Sequence, residues 1–473
     1  SGALTVTGPS TLDNSSALAL GNNITVNDNL SVAGNNNLTL TGVLDGAGTL
    51  TKNGASDLTL GGNNTFSGNF DVLGGSLSTT SATALGNNAG LNLGAGTQLN
   101  LGASSSLGSL TGSGTALVGA GNTLSLGGGN LSSTFGGVLD GTGQLSKLGT
   151  GTLTLSGINT LAGDTSINGG TLNVSGSLAS GNVAVNSGAT LTGTGSLGGA
   201  VTVADGGHLA GATGSTLSVG SLVLSGNSNL DVGLSTPVAG GGNALINVGG
   251  NLTLDGNLNV SDIGGFGSGV YRIIDYTGGL TDNGLVVGSV PGSVTPGDLQ
   301  VQTALANQVN LLVTAPNTTV QFWDGSQLVG DGSINGGSGT WGTGTTNWTS
   351  VDGTVNQAWG NSFAVFQGTA GTVTVNGTQS ITGLQFATDG YSLVNGTAGA
   401  LNLVNGGTGN AAIRVDPNNT ATIGVAINGA GTLGKYDTGT LVLNGTNGYT
   451  GGTALNGGKL VVGNDSALGT GVL

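Results

Sequence analysis

The chain has 473 residues, of which 100 are glycine and only 6% are charged, and its formal net charge is −15 at pH 7. Six scattered lysines and arginines cannot form the basic stripe that a nucleic acid requires, and the lack of cysteine excludes a disulfide framework. Strong helix formers are scarce beside Gly, Thr, Asn, Ser and Val, so we expect an all-β protein.

Short alternating runs predict strands along the whole chain. The first are ALTVT (3–7), NITV (23–26) and NLTL (37–40), separated by Gly and Asn turns. Strands of about four residues suit a solenoid whose coils stack aliphatic on aliphatic. At about 20 residues per coil we expect roughly 20 to 24 coils and a rod of about 100–115 Å.

One 26-residue frame occurs three times without a gap. It reads KNGASDLTLGGNNTFSGNFDVLGGSL at 52–77, KLGTGTLTLSGINTLAGDTSINGGTL at 147–172 and KYDTGTLVLNGTNGYTGGTALNGGKL at 435–460. Lys52, Lys147 and Lys435 therefore share one register, and we expect them at equivalent corners of their coils. They could contact a ligand, but we favour solvated corners paired with a neighbouring Asp or carbonyl.

Two stretches interrupt the pattern. Residues 261–300 contain Pro291 and Pro296, which predict an irregular excursion. We place a seam near Pro316, which divides the chain into one solenoid segment at 1–315, with two lysine-headed repeats, and a second at 316–473, with the third.

The second segment begins with all four tryptophans: Trp323, Trp341, Trp348 and Trp359. Exposed tryptophans on a rigid rod suit stacking on sugar rings, so these four form our candidate ligand surface. The alternative, which we favour, is that they fill the start of the second segment as a plug.

The repeat resembles the passenger-associated transport repeat of bacterial autotransporters. It follows G-x-G-x-L-x-K-x-x-x-G-x-L-x-L-x-G-x-N-x-[YF]-x-G-x-T-x-[IL]-x-G-G-x-L, best at 429–460 with Tyr449 and Thr453 in place. The other copies depart at Leu161 and Phe70. The stretches FWDG, GGSGTW, TNWT and FAVF within 322–366 resemble a second repeated element of the same passengers, the autotransporter-associated β-strand repeat.

This resemblance implies a right-handed parallel β-helix at the bacterial cell surface or outside the cell. It also implies export through the outer membrane by a C-terminal barrel that this sequence lacks. The N-terminus shows no signal-peptide pattern, so we expect a mature or excised segment.

The inventory of reactive side chains predicts no catalytic residue, no metal site and no cofactor. No two Asp lie closer than seven residues, as in Asp255 and Asp262, although stacked coils could bring distant ones together. His208 is the only histidine and lacks a G-D-S-G partner motif, so we expect a turn residue at an exposed corner.

We therefore predict a non-enzymatic surface adhesin, stalk or aggregation module. Two alternatives stay open, namely a polysaccharide-degrading β-helix enzyme and a self-assembling surface filament subunit. The expected partners are host or bacterial surface glycans, or further copies of the chain.

Overall fold

The computed structural model describes residues 2–86, 88–239, 245–315, 318–404 and 410–471. These residues form short β-strands, with one three-residue 3₁₀ helix at Pro296–Asp298 and no α-helix. About 22 parallel coils stack on one another, so the predicted all-β parallel solenoid is confirmed. The right-handed sense of the winding stays a prediction.

Residues 2–315, the first segment, wind so that consecutive strands pass through three sides of each coil. On the first side lie a three-stranded and a nine-stranded sheet, with strands Leu4–Val6, Ile24–Val26 and Leu44–Asp45, then Ser105–Leu107, Thr123–Leu126, Gln144–Lys147, Thr165–Ile167, Asn182–Val185, Ala200–Val203, Ser221–Leu224, Leu252–Leu254 and Leu280–Asp282. The second side is one sheet of 14 strands: Ser10–Leu12, Asn29–Val32, Thr49–Lys52, Asn69–Val72, Gly90–Leu93, Ser109–Gly112, Ser133–Phe135, Thr152–Leu155, Gly170–Val174, Ala189–Gly193, His208–Ala212, Asn229–Leu234, Asn257–Asp262 and Val286–Val287. The third side has a seven-stranded and an eight-stranded sheet: Leu18–Leu20, Leu38–Leu40, Asp57–Leu60, Ser76–Thr79, Gln98–Leu101, Thr115–Val118 and Val138–Gly141, then Ile158–Asn159, Ser177–Leu178, Ser196–Leu197, Leu217–Val219, Ile246–Val248, Gly269–Tyr276, Gln308–Val313 and Leu299–Gln302.

Parallel pairing sets the rise from coil to coil. Leu4 pairs with Ile24, and Ile24 pairs with Leu44, so one coil takes 20 residues here. Because side chains alternate across a strand, each in-register step places an aliphatic residue above an aliphatic residue. The result is a continuous narrow core inside the coil.

The aliphatic positions of the repeats point into the cores of the two segments, although Leu460 is only partly buried and Leu455 is exposed. Leu58, Leu155 and Leu443 are fully buried, as the alternation predicts. Leu455 was expected inside but is 56% exposed. It lies on the edge strand Thr453–Leu455 of its sheet, and no described strand stacks beyond it.

Residues 318–471, the second segment, begin irregularly and continue as a solenoid. Its eight-stranded sheet contains Asn356–Gln357, Trp348–Thr349, Val320–Trp323, Phe363–Phe366, Gly383–Phe386, Asn410–Val415, Thr432–Tyr436 and Thr453–Leu455. The six-stranded sheet contains Gly339–Trp341, Thr372–Val375, Ser392–Asn395, Thr420–Ile423, Thr440–Leu443 and Lys459–Val462, and a three-stranded sheet contains Thr378–Ile381, Ala400–Leu403 and Ala426–Asn428. The strand Trp348–Thr349 pairs antiparallel with both of its neighbours, whereas the later strands pair in parallel.

The expected excursion at 261–300 contains regular structure as well as loops. The long strand Gly269–Tyr276 pairs in parallel with Ile246–Val248 on one edge and antiparallel with Gln308–Val313 on the other, across a bulge after Arg272. Pro296 opens the 3₁₀ helix, where its missing amide hydrogen costs no ladder bond. The predicted seam at Pro316 lies outside the described residues.

The second segment packs against the end of the first through buried polar contacts. The Gln385 side chain accepts a hydrogen bond from the Val270 amide (2.8 Å) and donates one to the Val270 carbonyl (3.1 Å). Asp416 accepts a bond from the Ala239 amide at 2.6 Å. An apolar cluster that includes Val270, Phe322 and Val365 surrounds these contacts, so the two segments share an interface.

Candidate functional site

The three repeat lysines lie inside their coils, where each ammonium donates to backbone carbonyls. Lys147 Nζ contacts the carbonyl oxygens of Leu148 (2.7 Å), Gly149 (3.1 Å) and Gly169 (3.0 Å). The other two have partners at corresponding positions: Gly54 and Gly74 for Lys52, and Tyr436, Asp437 and Gly457 for Lys435. Each lysine thus joins its own coil to the next one.

Burial distinguishes this arrangement from the solvated corner that we predicted. Lys52 is 1% exposed, and Lys147 and Lys435 are 0% exposed. The predicted carbonyl partners are present, but the side chains are buried and not solvated. An external ligand therefore cannot reach them. The reason is the length of the lysine side chain, which lets the ammonium reach the turn while its methylenes pack in the core.

Burial lowers the pKa of all three lysines, because a charged amine loses hydration inside the coil. The effect is largest at Lys435, whose pKa falls to about 8, although Asp437 and Asp416 oppose the change by favouring the charged form. Beside it, burial raises the pKa of Asp437, and the guanidinium of Arg414 opposes that change.

A second buried polar residue, which we did not predict from the sequence, occurs 12 positions after each lysine. It is Asn64, Asn159 and Asn447 in the three copies, each at most 4% exposed. Asn64 accepts from the Leu44 amide (2.7 Å) and donates to the Ala84 carbonyl (2.7 Å).

Asn447 contacts Ile427 and Ala467 in the same way. The side-chain amide therefore bridges the coil below to the coil above. The invariant G-x-N within the frame was the available signal.

The aromatic position of the repeat is also internal, and in two of the three copies it contacts the residue four positions later. Phe66 packs on Phe70, with ring centroids 4.8 Å apart. In the third copy Tyr449 and Thr453 occupy these places, and their hydroxyl oxygens lie 2.6 Å apart. In the second copy Leu161 takes the aromatic place, while Thr165 is kept and accepts a hydrogen bond from Ser180 at 3.0 Å.

The four tryptophans form one buried aromatic cluster at the start of the second segment. Trp323, Trp341 and Trp348 are 0% exposed, and Trp359 is 9% exposed. The Trp348 ring centroid lies 4.4 Å from that of Trp359, 4.8 Å from that of Trp341 and 5.2 Å from that of Trp323. Their faces are not available to a sugar, which contradicts the candidate ligand surface and agrees with the plug.

The single histidine lies at the start of a strand on the outer face. His208 Nδ1 is 2.6 Å from Asp231 Oδ2, and both side chains are about one-third exposed. Asp231 also accepts a bond from the Asn259 side chain at 2.9 Å. His208 is therefore a member of a polar ladder rather than the turn residue that we expected.

Hydroxyl and amide side chains cover the outer faces of the sheets in stacked rows. Asp57 Oδ1 accepts bonds from Ser76 (2.7 Å) and Ser78 (2.8 Å), and Ser78 in turn accepts one from Asn100 at 3.2 Å. Such rows satisfy polar groups from coil to coil.

In the described part of the chain no group of three or more His, Cys, Asp or Glu residues could hold a metal ion.

Comparison with known proteins identifies the repeats. The family model of the passenger-associated transport repeat matches residues 50–78, 145–174 and 433–462. The chain is also 42% identical over 274 residues to the adhesin BmaC autotransporter of Brucella suis biovar 1 (strain 1330). That alignment takes in 54% of this chain and only 8% of the length of the relative.

Among the described residues, no helix is long and apolar enough to cross a membrane.

Proposed function

We propose that this chain, whose repeats match those of autotransporter passengers, acts at the bacterial surface as a non-enzymatic adhesive stalk. The observation that carries this proposal is the division of side chains between the two faces of the coil. Aliphatic and aromatic groups, with the repeat lysines, lie inside, and rows of small polar groups lie outside. The name of the similar adhesin points in the same direction.

The buried tryptophans leave the outward polar rows as the binding surface of this proposal. Thr152 and Thr154 face outward, and the parallel register stacks Thr171 and then Thr190 over Thr152 in the following coils. Rigid rows of hydroxyl groups can form many weak hydrogen bonds with the hydroxyl groups of sugars. The individual contacts stay weak, but the overall attachment becomes strong when many copies act on one surface.

Beads coated with the segment should adhere to cells or to immobilised neutral glycans. The triple variant Thr152→Ala, Thr154→Ala, Thr171→Ala should reduce adhesion while the circular dichroism spectrum stays unchanged. The matched control is Ser106→Ala, Ser125→Ala, Ser166→Ala on another side of the coil. Equal loss in both variants would argue against a defined binding face.

The same preparation tests the absence of enzymatic activity. Incubation with a panel of polysaccharides should release no fragments. Cleavage that an Asp→Asn substitution abolishes would favour the polysaccharide-degrading alternative.

A further inference from the structure

An open groove of about 460 Å³ lies between the last strands of the first segment and a loop of the second. Val287 and Val301 of the first segment and Val351 of the second contribute apolar side chains to its lining. Asp282 and Asp352, one from each segment, contribute carboxylates, and both residues are exposed. The groove is therefore accessible from solvent and combines apolar with negatively charged walls.

The strands that line the groove are the last ones of three sheets. Leu280–Asp282 ends the nine-stranded sheet, Val286–Val287 ends the 14-stranded sheet, and Leu299–Gln302 ends the eight-stranded sheet of the first segment. In the described part of the chain no further strand pairs with these edges. An edge strand presents amide and carbonyl groups to which another strand can add.

Two residues of the lining direct their peptide groups away from the strand that they pair with. The Val286 amide donates to the preceding coil at 2.9 Å, so the Val287 amide, one residue on, points to the opposite side. Thr314 donates to the Asp298 carbonyl at 2.8 Å, and the alternation of antiparallel pairs from there directs the Val301 amide outward. The edges therefore offer backbone hydrogen bonds beside the apolar side chains.

The charge of the groove selects a basic partner. Among the described residues of the lining there are two Asp and no Lys, Arg or His. Thr303 donates to the Asp282 carboxylate at 2.9 Å. A hydrogen bond from the Ser350 hydroxyl lowers the pKa of Asp352, so this carboxylate stays charged at neutral pH. A nucleic acid or an acidic peptide would meet repulsion here.

Two other occupants fit less well. The lining contains no aromatic ring on which a sugar could stack, and its apolar residues are all aliphatic. A second copy of the chain carries a net charge of −15 and, in the part that the structure describes, has only Lys459 as a basic residue of the exposed class. The charge complement must therefore come from a different protein.

We propose that this groove binds an extended, basic segment of a partner protein, which adds as a strand to the open sheet edges. Its apolar side chains pack beside Val287, Val301 and Val351, and its lysines or arginines pair with Asp282 and Asp352. The site goes beyond the proposed adhesive function, because it takes a peptide rather than a glycan and lies at the sheet ends rather than on the threonine rows.

Fluorescence anisotropy with the full 473-residue chain tests the proposal. The probe is a short labelled peptide of alternating lysine and valine, which should bind. The same peptide with glutamate in place of lysine should not bind, because the carboxylates repel it. Methylation of the backbone amides removes the donors of the added strand and should abolish binding. Equal binding of either control peptide would overturn the proposal.

A matched pair of double variants separates the groove from the overall negative charge. Asp282→Asn with Asp352→Asn keeps hydrogen-bond acceptors but removes both charges, and it should weaken peptide binding by about fivefold. Asp13→Asn with Asp28→Asn has the same net charge and changes exposed residues elsewhere. This control should bind as wild type does. Equal weakening in both variants would overturn the proposal.

Hydrogen exchange of the wild-type chain gives a test that does not depend on the folding of a variant. Bound peptide should slow the exchange of the Val287 or the Val301 amide, since an added strand accepts from one of these edges. Unchanged exchange at both positions would overturn the proposal. The threonine variant that tests glycan adhesion should bind the peptide normally, so the two proposals can fail separately.

Discussion

The lysines and asparagines of the repeat act at the scale of single residues. Each lysine ties its own coil to the next one, and each asparagine ties the coils on either side of its own. Both add side-chain hydrogen bonds between coils to those that the backbone makes. A buried polar group that is fully paired restricts the core to one arrangement, since a shifted register would leave it unpaired.

The bridging role of Asn64 predicts a large difference between neighbouring substitutions. Asn64→Ala leaves the Leu44 amide and the Ala84 carbonyl without their partner and should lower the free energy of unfolding by about 1–3 kcal/mol per group. Asn63→Ala removes an exposed side chain and should change it by less than about 0.5 kcal/mol. Amide hydrogen exchange of the strands at 44–45 and 57–60 measures both. Equal effects would contradict the bridge.

The lowered pKa of Lys435 predicts a pH dependence of stability. Its pKa is about 8 in the folded chain, against an ordinary value of 10.5 that we expect after unfolding. Between these values the unfolded chain binds a proton that the folded chain has released, so stability should rise with pH from about 8 to 10.5. Below about 8 both states are protonated, and this contribution is constant.

Lys435→Met provides the reference for that measurement, because it cannot titrate. The melting midpoint of wild type minus that of Lys435→Met should increase as the pH rises from about 8 to 10.5. A difference that is flat from pH 7 to 10.5 would show that the folded pKa is ordinary.

At the scale of an element, the Trp-rich start of the second segment forms the end of the sheet on which the following coils stack. Its antiparallel strands lie at one end of the eight-stranded sheet, and parallel strands continue from Phe363–Phe366. Phe366 carries the aromatic contact into the next coil by stacking on Phe386, with centroids 4.9 Å apart. The large rings thus fill a wider core before the narrow aliphatic one begins.

Replacement of Trp348 tests this role. Trp348→Ala should lower the free energy of unfolding by about 3–5 kcal/mol, because the neighbouring rings cannot close the cavity. Thermal unfolding followed by near-ultraviolet circular dichroism gives the value. Val329→Ala, in the same region but 78% exposed, is the control and should have little effect. An unchanged Trp348→Ala midpoint would contradict the plug.

At the scale of the whole molecule, the distribution of charge leaves the surface almost without cations. Lys52, Lys147, Lys435 and Arg272 are at most 8% exposed, and the Arg414 side chain is 13% exposed. Of the six basic residues only Lys459 belongs to the exposed class, while most of the 21 acidic residues are at least partly exposed. Two copies therefore repel each other at low ionic strength.

Association of the segment should accordingly increase with salt. Clumping of coated beads is expected to rise from 0.01 M to 0.15 M ionic strength, as the screening length falls from about 30 Å to about 8 Å. Light scattering of the bead suspension records the change. Clumping that falls with salt would indicate attraction between opposite charges instead.

The sequence by itself determined the fold class and the place of the repeats. Period-2 runs such as TLTL at 152–155 admit only one inward face, so strands, buried leucines and stacking follow from local pattern. The family model of the repeat matches three ranges, and each of them overlaps one of the three copies that we aligned. Coils contact mainly their neighbours, and for this reason a one-dimensional pattern carries so much of the structure.

Only the tertiary structure decided where the unusual side chains lie. Lys147 alternates in phase with the inward Leu145 of its strand, but burial of its ammonium requires a carbonyl from the next coil. The partners of Trp348 likewise include a ring well beyond its own strand. The contact between Gln385 and Val270 spans 115 residues, and no repeat signals it. Burial of such groups depends on whether distant chain supplies carbonyls, rings or amides at the right distance, and a local pattern does not contain that information.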